Sequence, residues 1–262
     1  MDRLCVAFAS VLAFVSLAQA QPCSNNDFKG VYSALVTGSF ISPPPGIPAG
    51  PTVRAGRVAV DGNGIAAVVA VLSLDGLILP ENYGGTYTIS SDCSASVILQ
   101  VPFPGSPAPV PFAFTGMLAN AGEMMNLILV NPQGTDLRIV LHKQRKTSCT
   151  AGDLNGSYSL SMAGTVFNWF LTPAGLFARV GKVVFDGVGT LTATVNTSYA
   201  GLVEAESIAG TYTMDPNCTF NATLNASNEK SWFGVMADTA NGANLISSSP
   251  GSVITGTLTT VY

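Results

Sequence analysis

Two ten-residue stretches, CSNNDFKGVY from Cys23 to Tyr32 and CTAGDLNGSY from Cys149 to Tyr158, place a cysteine, an aspartate, a glycine and a tyrosine in the same order 126 residues apart. The correspondence runs on. RVAVDGNG from Arg57 to Gly64 matches KVVFDGVG from Lys182 to Gly189, GGTYTI from Gly84 to Ile89 matches AGTYTM from Ala209 to Met214, and Cys93 meets Cys218, all at an offset of 125. Further along, Phe114 to Gly116 pairs with Trp232 to Gly234, and Gly134 with Gly251. Order, spacing and residue type kept together over that distance mark a tandem duplication.

Outside the repeat lies the N-terminal stretch 1–20, with Arg3, an apolar run from Leu4 to Leu17 and the small-residue ending Ala18-Gln19-Ala20. It reads as a secretory signal peptide cleaved before Gln21, so the expected divisions are signal 1–20, domain one 21–145 and domain two 146–262. No later run reaches the length of a membrane-spanning helix. A secreted or cell-surface location follows as the expectation.

The chain is 47% hydrophobic and only 10% charged, with 27 glycines and 16 prolines. That composition suits filled cores joined by many turns, and it argues against disorder. With a net charge of -4 and scattered basic residues, it lacks the electrostatic footprint of a nucleic-acid binder.

Each copy carries two cysteines at nearly one spacing, so the expected bonds are Cys23 to Cys93 and Cys149 to Cys218. Pairing between copies, or free thiols, is the alternative. A closed loop of that size stabilises the fold by about 4 kcal/mol in the chain-entropy model. The cysteines lack metal-ligand spacing and His142 is the only histidine, so neither a metal nor another cofactor is expected.

Period-two alternation is plain in copy two, where Tyr158, Leu160 and Met162 alternate with serines, and Phe220, Ala222 and Leu224 with Asn221, Thr223 and Asn225. Turn signals divide copy one into about eight strands, near 30–38, 53–60, 65–73, 85–90, 95–102, 112–119, 124–130 and 137–143. An all-β fold of two tandem antiparallel up-and-down barrels is therefore expected, with β-sandwiches as the alternative. In a barrel the tight turns Asp61 to Gly64, Ser91 to Cys93 and Ala119 to Gly122 share one end with Cys23. The other end then carries long loops at Ser42 to Pro51, Leu74 to Tyr83 and Pro102 to Pro111.

The architecture resembles lipocalin-type barrels and the allene oxide cyclase and dirigent barrels. A Gly-x-Tyr opens each copy, at Gly30 to Tyr32 and Gly156 to Tyr158, where lipocalins have Gly-x-Trp. That resemblance implies either binding of an apolar molecule or, as in the cyclases, shaping of a reactive intermediate.

The inward face of copy one is read as uncharged, running through Tyr32, Tyr87 and Phe114, with Tyr158, Tyr212 and Trp232 in copy two. These residues either line an apolar ligand cavity or fill a packed core. Glu81 and Glu206, which correspond at the 125 offset, are placed on mouth loops as ligand or acid-base groups, or as plain solvated charges. Phe167, Trp169, Phe170 and Phe177 form either a contact surface or packing under their own loop or against the other barrel.

His142 stands opposite Leu137, Ile139 and Leu141, which suits a structural position better than a nucleophilic triad. The repeated aspartates Asp27, Asp61, Asp153 and Asp186 sit beside turn glycines, and turn chemistry accounts for them. N-x-Ser/Thr sequons begin at Asn155, Asn196, Asn217, Asn221 and Asn225. Ile65, Val69, Val71 and Ile98 make the outer face of copy one apolar where copy two is polar, so a partner is expected there: the second barrel or another subunit.

Three functions fit these residues. The foremost is an exported non-enzymatic protein holding a small apolar ligand in a barrel. The others are a structural or adhesive module with filled barrels, and a cyclase-like enzyme using Tyr and Glu.

Overall fold

Among the described residues the alternating stretches form sixteen strands. A computed structural model describes residues 22–43, 45, 47–103, 106, 108–169, 173–226, 228–237 and 242–261; the expected signal peptide lies outside them. Copy one forms β1 (Lys29–Phe40), β2 (Gly50–Asp61), β3 (Ile65–Leu74), β4 (Leu77–Ile89), β5 (Ser94–Val101), β6 (Val110–Ala119), β7 (Met124–Asn131) and β8 (Thr135–Lys143). Copy two forms β9 (Gly156–Val166), β10 (Gly175–Phe185), β11 (Thr190–Tyr199), β12 (Leu202–Met214), β13 (Thr219–Leu224), β14 (Ser231–Ala237), β15 (Gly242–Ser247) and β16 (Ser252–Thr260). Consecutive strands pair antiparallel, and β1 closes on β8 as β9 closes on β16. Both expected up-and-down barrels are present, each closed by its first and last strands.

The disulfides join Cys23 to Cys93 and Cys149 to Cys218, with Cα separations of 5.0 and 4.9 Å. Both sit at the tight-turn end, and bonds of this kind fit an oxidising compartment. At that end Asp61 accepts from the backbone N–H groups of Asn63 (2.7 Å) and Ile65 (3.0 Å). Asp186 does the same for Val188, Gly189 and Thr190, each at 2.9 Å.

One expected long loop is absent. Instead of a connection from Leu74 to Tyr83, β3 and β4 are joined by Asp75-Gly76 alone, at φ 48° and 82°. Ala200-Gly201 repeats the turn in copy two at φ 50° and 94°. Two left-handed residues twist a hairpin in the hand its strands require, and Asp-Gly is well suited to them. Glu81 and Glu206 therefore stand on strands β4 and β12, not on mouth loops.

The barrels also pack against each other. Val53 and Ala55 of β2 bury against Phe233 and Val235 of β14, Ile246 of β15 and Val253 of β16, with Val71 and Phe167 partly buried beside them. Ser73 donates its hydroxyl to the Ser252 carbonyl (2.7 Å), and Gly251 donates its N–H to the Gly76 carbonyl (2.9 Å). The second barrel thus covers Val71, but Ile65, Val69 and Ile98 stay exposed.

Candidate functional site

Stepping back by two from Val58 along β2 reaches Gly56 and Arg54, so strand parity alone aims Arg54 into the barrel. The expectation of an uncharged interior is thereby corrected. Arg54 is only 4% exposed, and its Nε donates to Oε2 of Glu81, itself 6% exposed, at 2.9 Å. Burying either charge alone costs several kcal/mol, so each makes the other tolerable.

The second barrel repeats this pair. Arg54 lies opposite Leu72 as Arg179 lies opposite Thr197, and Glu81 opposite Ala70 as Glu206 opposite Val195, so both members hold equivalent positions 125 residues apart. Here the guanidinium is fully engaged. Its Nε donates to Thr197 Oγ1 (2.8 Å), one Nη to Tyr199 (3.2 Å) and to Glu206 Oε2 (2.8 Å), and the other to Glu229. Thr197 and Tyr199 in turn donate to Glu206 at 2.7 and 2.9 Å, and the Phe177 ring lies 5.1 Å from the guanidinium carbon. Burial works to lower the Arg179 pKa, but Glu229, Tyr199 and Glu206 together hold it above its ordinary value.

Copy one lacks most of these partners. Leu72 and Leu74 stand where copy two has Thr197 and Tyr199. The bond to Glu81 is the one hydrogen bond of Arg54 among the described residues, and Glu81 Oε1 is buried without a partner there. Arg54 and Tyr83 line an interior cavity of about 40 Å³ with Gly56, Ala66, Val68 and Ala70, and an adjoining one of about 20 Å³ with Phe112 and Phe114. The larger has room for about one water molecule. Burial pushes the Tyr83 phenol well above its ordinary range, Glu81 adding to the shift and Arg54 opposing it.

Aromatic side chains close the barrel ends. At the tight-turn end Tyr32 donates to the Gly122 carbonyl (2.7 Å), Tyr87 to that of Phe28 (2.9 Å) and Tyr212 to that of Ala151 (3.0 Å). These three hydroxyls are committed to the backbone and do not face the Arg-Glu pairs. Tyr158 packs on Phe185 at 5.6 Å, and burial raises its pKa. At the long-loop end Phe40, Phe103 and Phe112 meet at 5.6 to 6.2 Å in barrel one. Trp169, Phe177 and Tyr199 do so in barrel two at 5.6 to 6.4 Å.

The described aromatic residues of the copy-two loop are packed against protein. Trp169 and Phe177 cap their own barrel and Phe167 packs against the other, while Phe170 lies outside the described residues. Trp232 is fully buried in the second core, and its Nε1 has no partner among the described residues. His142 is half-buried on the outer face of β8, its carbonyl accepting from Ser33 at 3.3 Å. Of the sequon asparagines, Asn155, Asn196, Asn221 and Asn225 are exposed and Asn217 is half-buried. Among the described residues no cluster of three or more His, Cys, Asp or Glu is placed to hold a metal ion.

Sequence reasoning found Glu81 and Glu206 but missed Arg54, Arg179, Tyr83 and Glu229. The two arginines were within reach, since the repeat offset and the parity of Val58 together place them. Glu229 belongs to an irregular connection, where no periodicity points inward.

No family model matches this chain, and no curated protein matches it. Among solved structures, it is similar to a protein of unknown function of the DUF3598 family from Nostoc punctiforme, at 12% identity over 91% of this chain and 99% of that one, with a TM-score of 0.26. It is also similar to the Myxococcus xanthus hemagglutinin, solved in complex with a mannopentaose, at 13% identity over 87% and 99% of the two chains, with a TM-score of 0.20.

Proposed function

We propose that the protein is an exported, non-enzymatic binding protein that holds a small ligand inside its first barrel, the second barrel being a self-filled counterpart. The observation that carries this reading is a buried guanidinium with one hydrogen bond among the described residues, standing in the wall of a cavity of about 40 Å³. Ligand sites are characteristically apolar walls with a few convergent polar groups. On this reading Arg54, Glu81 and Tyr83 orient the ligand, and the Tyr87 and Phe114 rings belong to the walls. Tyr32, Tyr158 and Tyr212 hold the floors.

Native mass spectrometry of protein purified from its source tests the reading. A small molecule released in a one-to-one ratio with the disulfide-bonded chain is the expected result. A chain that carries nothing beyond covalent glycans overturns it.

A second reading, an extracellular interaction module, draws on the apolar side chains of Ile65, Val69 and Ile98, which are 41–56% exposed on barrel one. It predicts concentration-dependent association in sedimentation velocity, abolished by Ile65→Thr together with Val69→Thr.

A further inference from the structure

The two barrels differ at their buried arginines by one carboxylate. Around Arg179 stand Glu206, on β12, and Glu229, on the connection between β13 and β14. Around Arg54, Glu81 is the one carboxylate among the described residues, and the corresponding connection 102–109 reads PFPGSPAP, without an acidic residue. Phe103 comes in from that connection to the aromatic plug.

We infer that the first barrel takes a small monocarboxylate, whose carboxylate group occupies beside Arg54 the place that Glu229 occupies beside Arg179. This rests on the reading that barrel one holds a ligand and names its chemical class. The protein itself shows that one buried guanidinium in this lattice accommodates two carboxylates, since Arg179 does so while 1% exposed. A planar carboxylate matches the guanidinium fork in shape and charge. The Tyr83 hydroxyl, in the same cavity wall, supplies a further donor.

The counter-charge also selects against other anions. Glu81 already neutralises Arg54, so a phosphate or a dicarboxylate brings two negative charges into an apolar barrel that holds one cation, a cost the fold does not offset. A monocarboxylate repeats the ratio of one guanidinium to two carboxylates that copy two has built from its own chain. The tail faces apolar walls such as Val36, Leu99 and Ile139, which line both adjoining cavities. Their small volumes favour a short acyl chain.

The test uses the full disulfide-bonded protein, dialysed at neutral pH, and carboxyl-¹³C acetate, propionate and butyrate followed by NMR. Saturable binding of at least one of these acids at a single site per chain is expected, with inorganic phosphate failing to compete. Arg54→Met abolishes it. Tyr83→Phe, which keeps the ring and the fold, weakens it by about tenfold through loss of one charge-assisted hydrogen bond. Saturable binding that is unchanged in Tyr83→Phe and in a folded Arg54→Met places the acid elsewhere and overturns the inference. If none of the acids binds while protein from its source releases a neutral molecule, the monocarboxylate is wrong and the ligand-binding reading stands. If none binds and the source protein carries nothing, both fall.

Discussion

Arg54 and Arg179 occupy the same position in two barrels, 125 residues apart, yet among the described residues only Arg179 has a second carboxylate within hydrogen-bonding reach. Duplication copied the strand positions, and divergence then changed what surrounds them. Leucines replace the threonine and the tyrosine beside Arg54, which leaves a polar group in an apolar wall. In copy two the same group is locked into a five-residue network of Arg179, Thr197, Tyr199, Glu206 and Glu229. The two barrels therefore differ in how many of their own side chains hold the buried arginine.

Removing the guanidinium from the second barrel should be severe. Arg179→Met leaves the buried Glu229 and the half-buried Glu206 without their cation, and a loss of about 3–5 kcal/mol is expected in urea unfolding. Adding Glu206→Gln and Glu229→Gln should restore part of it. A single variant as stable as the wild type would show that the network contributes nothing to the fold.

Each disulfide closes a long loop, with separations of 70 and 69 residues. Replacing Cys149 and Cys218 by serine should cost about 2–5 kcal/mol in denaturant unfolding. The corresponding change at Cys23 and Cys93 should act on the first barrel by a similar amount. Non-reducing peptide maps should find only the two within-copy links.

The docking of the barrels depends on Gly76 and Gly251. A Cβ at Gly76 would lie 2.8 Å from Gly251 Cα, a backbone atom that cannot yield as a side-chain end does, and the φ of +82° adds strain. Gly76→Ala should loosen the interface while each barrel stays folded. Small-angle scattering should report a larger radius of gyration; an unchanged radius would show that the turns adjust.

Two turn aspartates should shape the acid limb of stability. Hydrogen bonds from the Thr190 side chain and then from backbone N–H groups hold the Asp186 carboxyl well below its ordinary range, and backbone donors from Ile65 and Asn63 lower Asp61. A depressed carboxyl stabilises the fold at pH values above its unfolded pKa, and the contribution disappears as pH falls through the folded pKa. Stability should therefore fall as pH drops below the ordinary aspartate range. In Asp61→Ala and Asp186→Ala that fall should be shallower, as read from melting temperature against pH.

Much of the fold is local chemistry written twice. Alternating residues such as Tyr158, Leu160 and Met162 assign one face of a strand to the core, and glycine-containing turns at Asp61 and Asp186 fix where the chain reverses. Cysteines at equal spacing mark one end of each meander. The Asp75-Gly76 hairpin is legible too, but Pro80 and polar Glu81 and Asn82 mask the alternation of β4, so the stretch reads as a long loop and puts Glu81 at the mouth, whereas strand parity aims it inward.

By itself, then, the sequence determined the duplication, the strand period and the equal cysteine spacing, because each depends on short-range patterns and on repeated spacing; the within-copy disulfides and the closure into barrels, against the alternatives of other pairings and of sandwiches, came from the structure. Tertiary structure alone decided which buried arginine is satisfied and which faces a cavity, and that the β3–β4 turn of one barrel docks on the β15–β16 turn of the other. Those outcomes depend on residues far apart in the chain, such as Arg179 with Glu229 and Gly76 with Gly251. Only the closed three-dimensional path brings them together, and no periodicity records it.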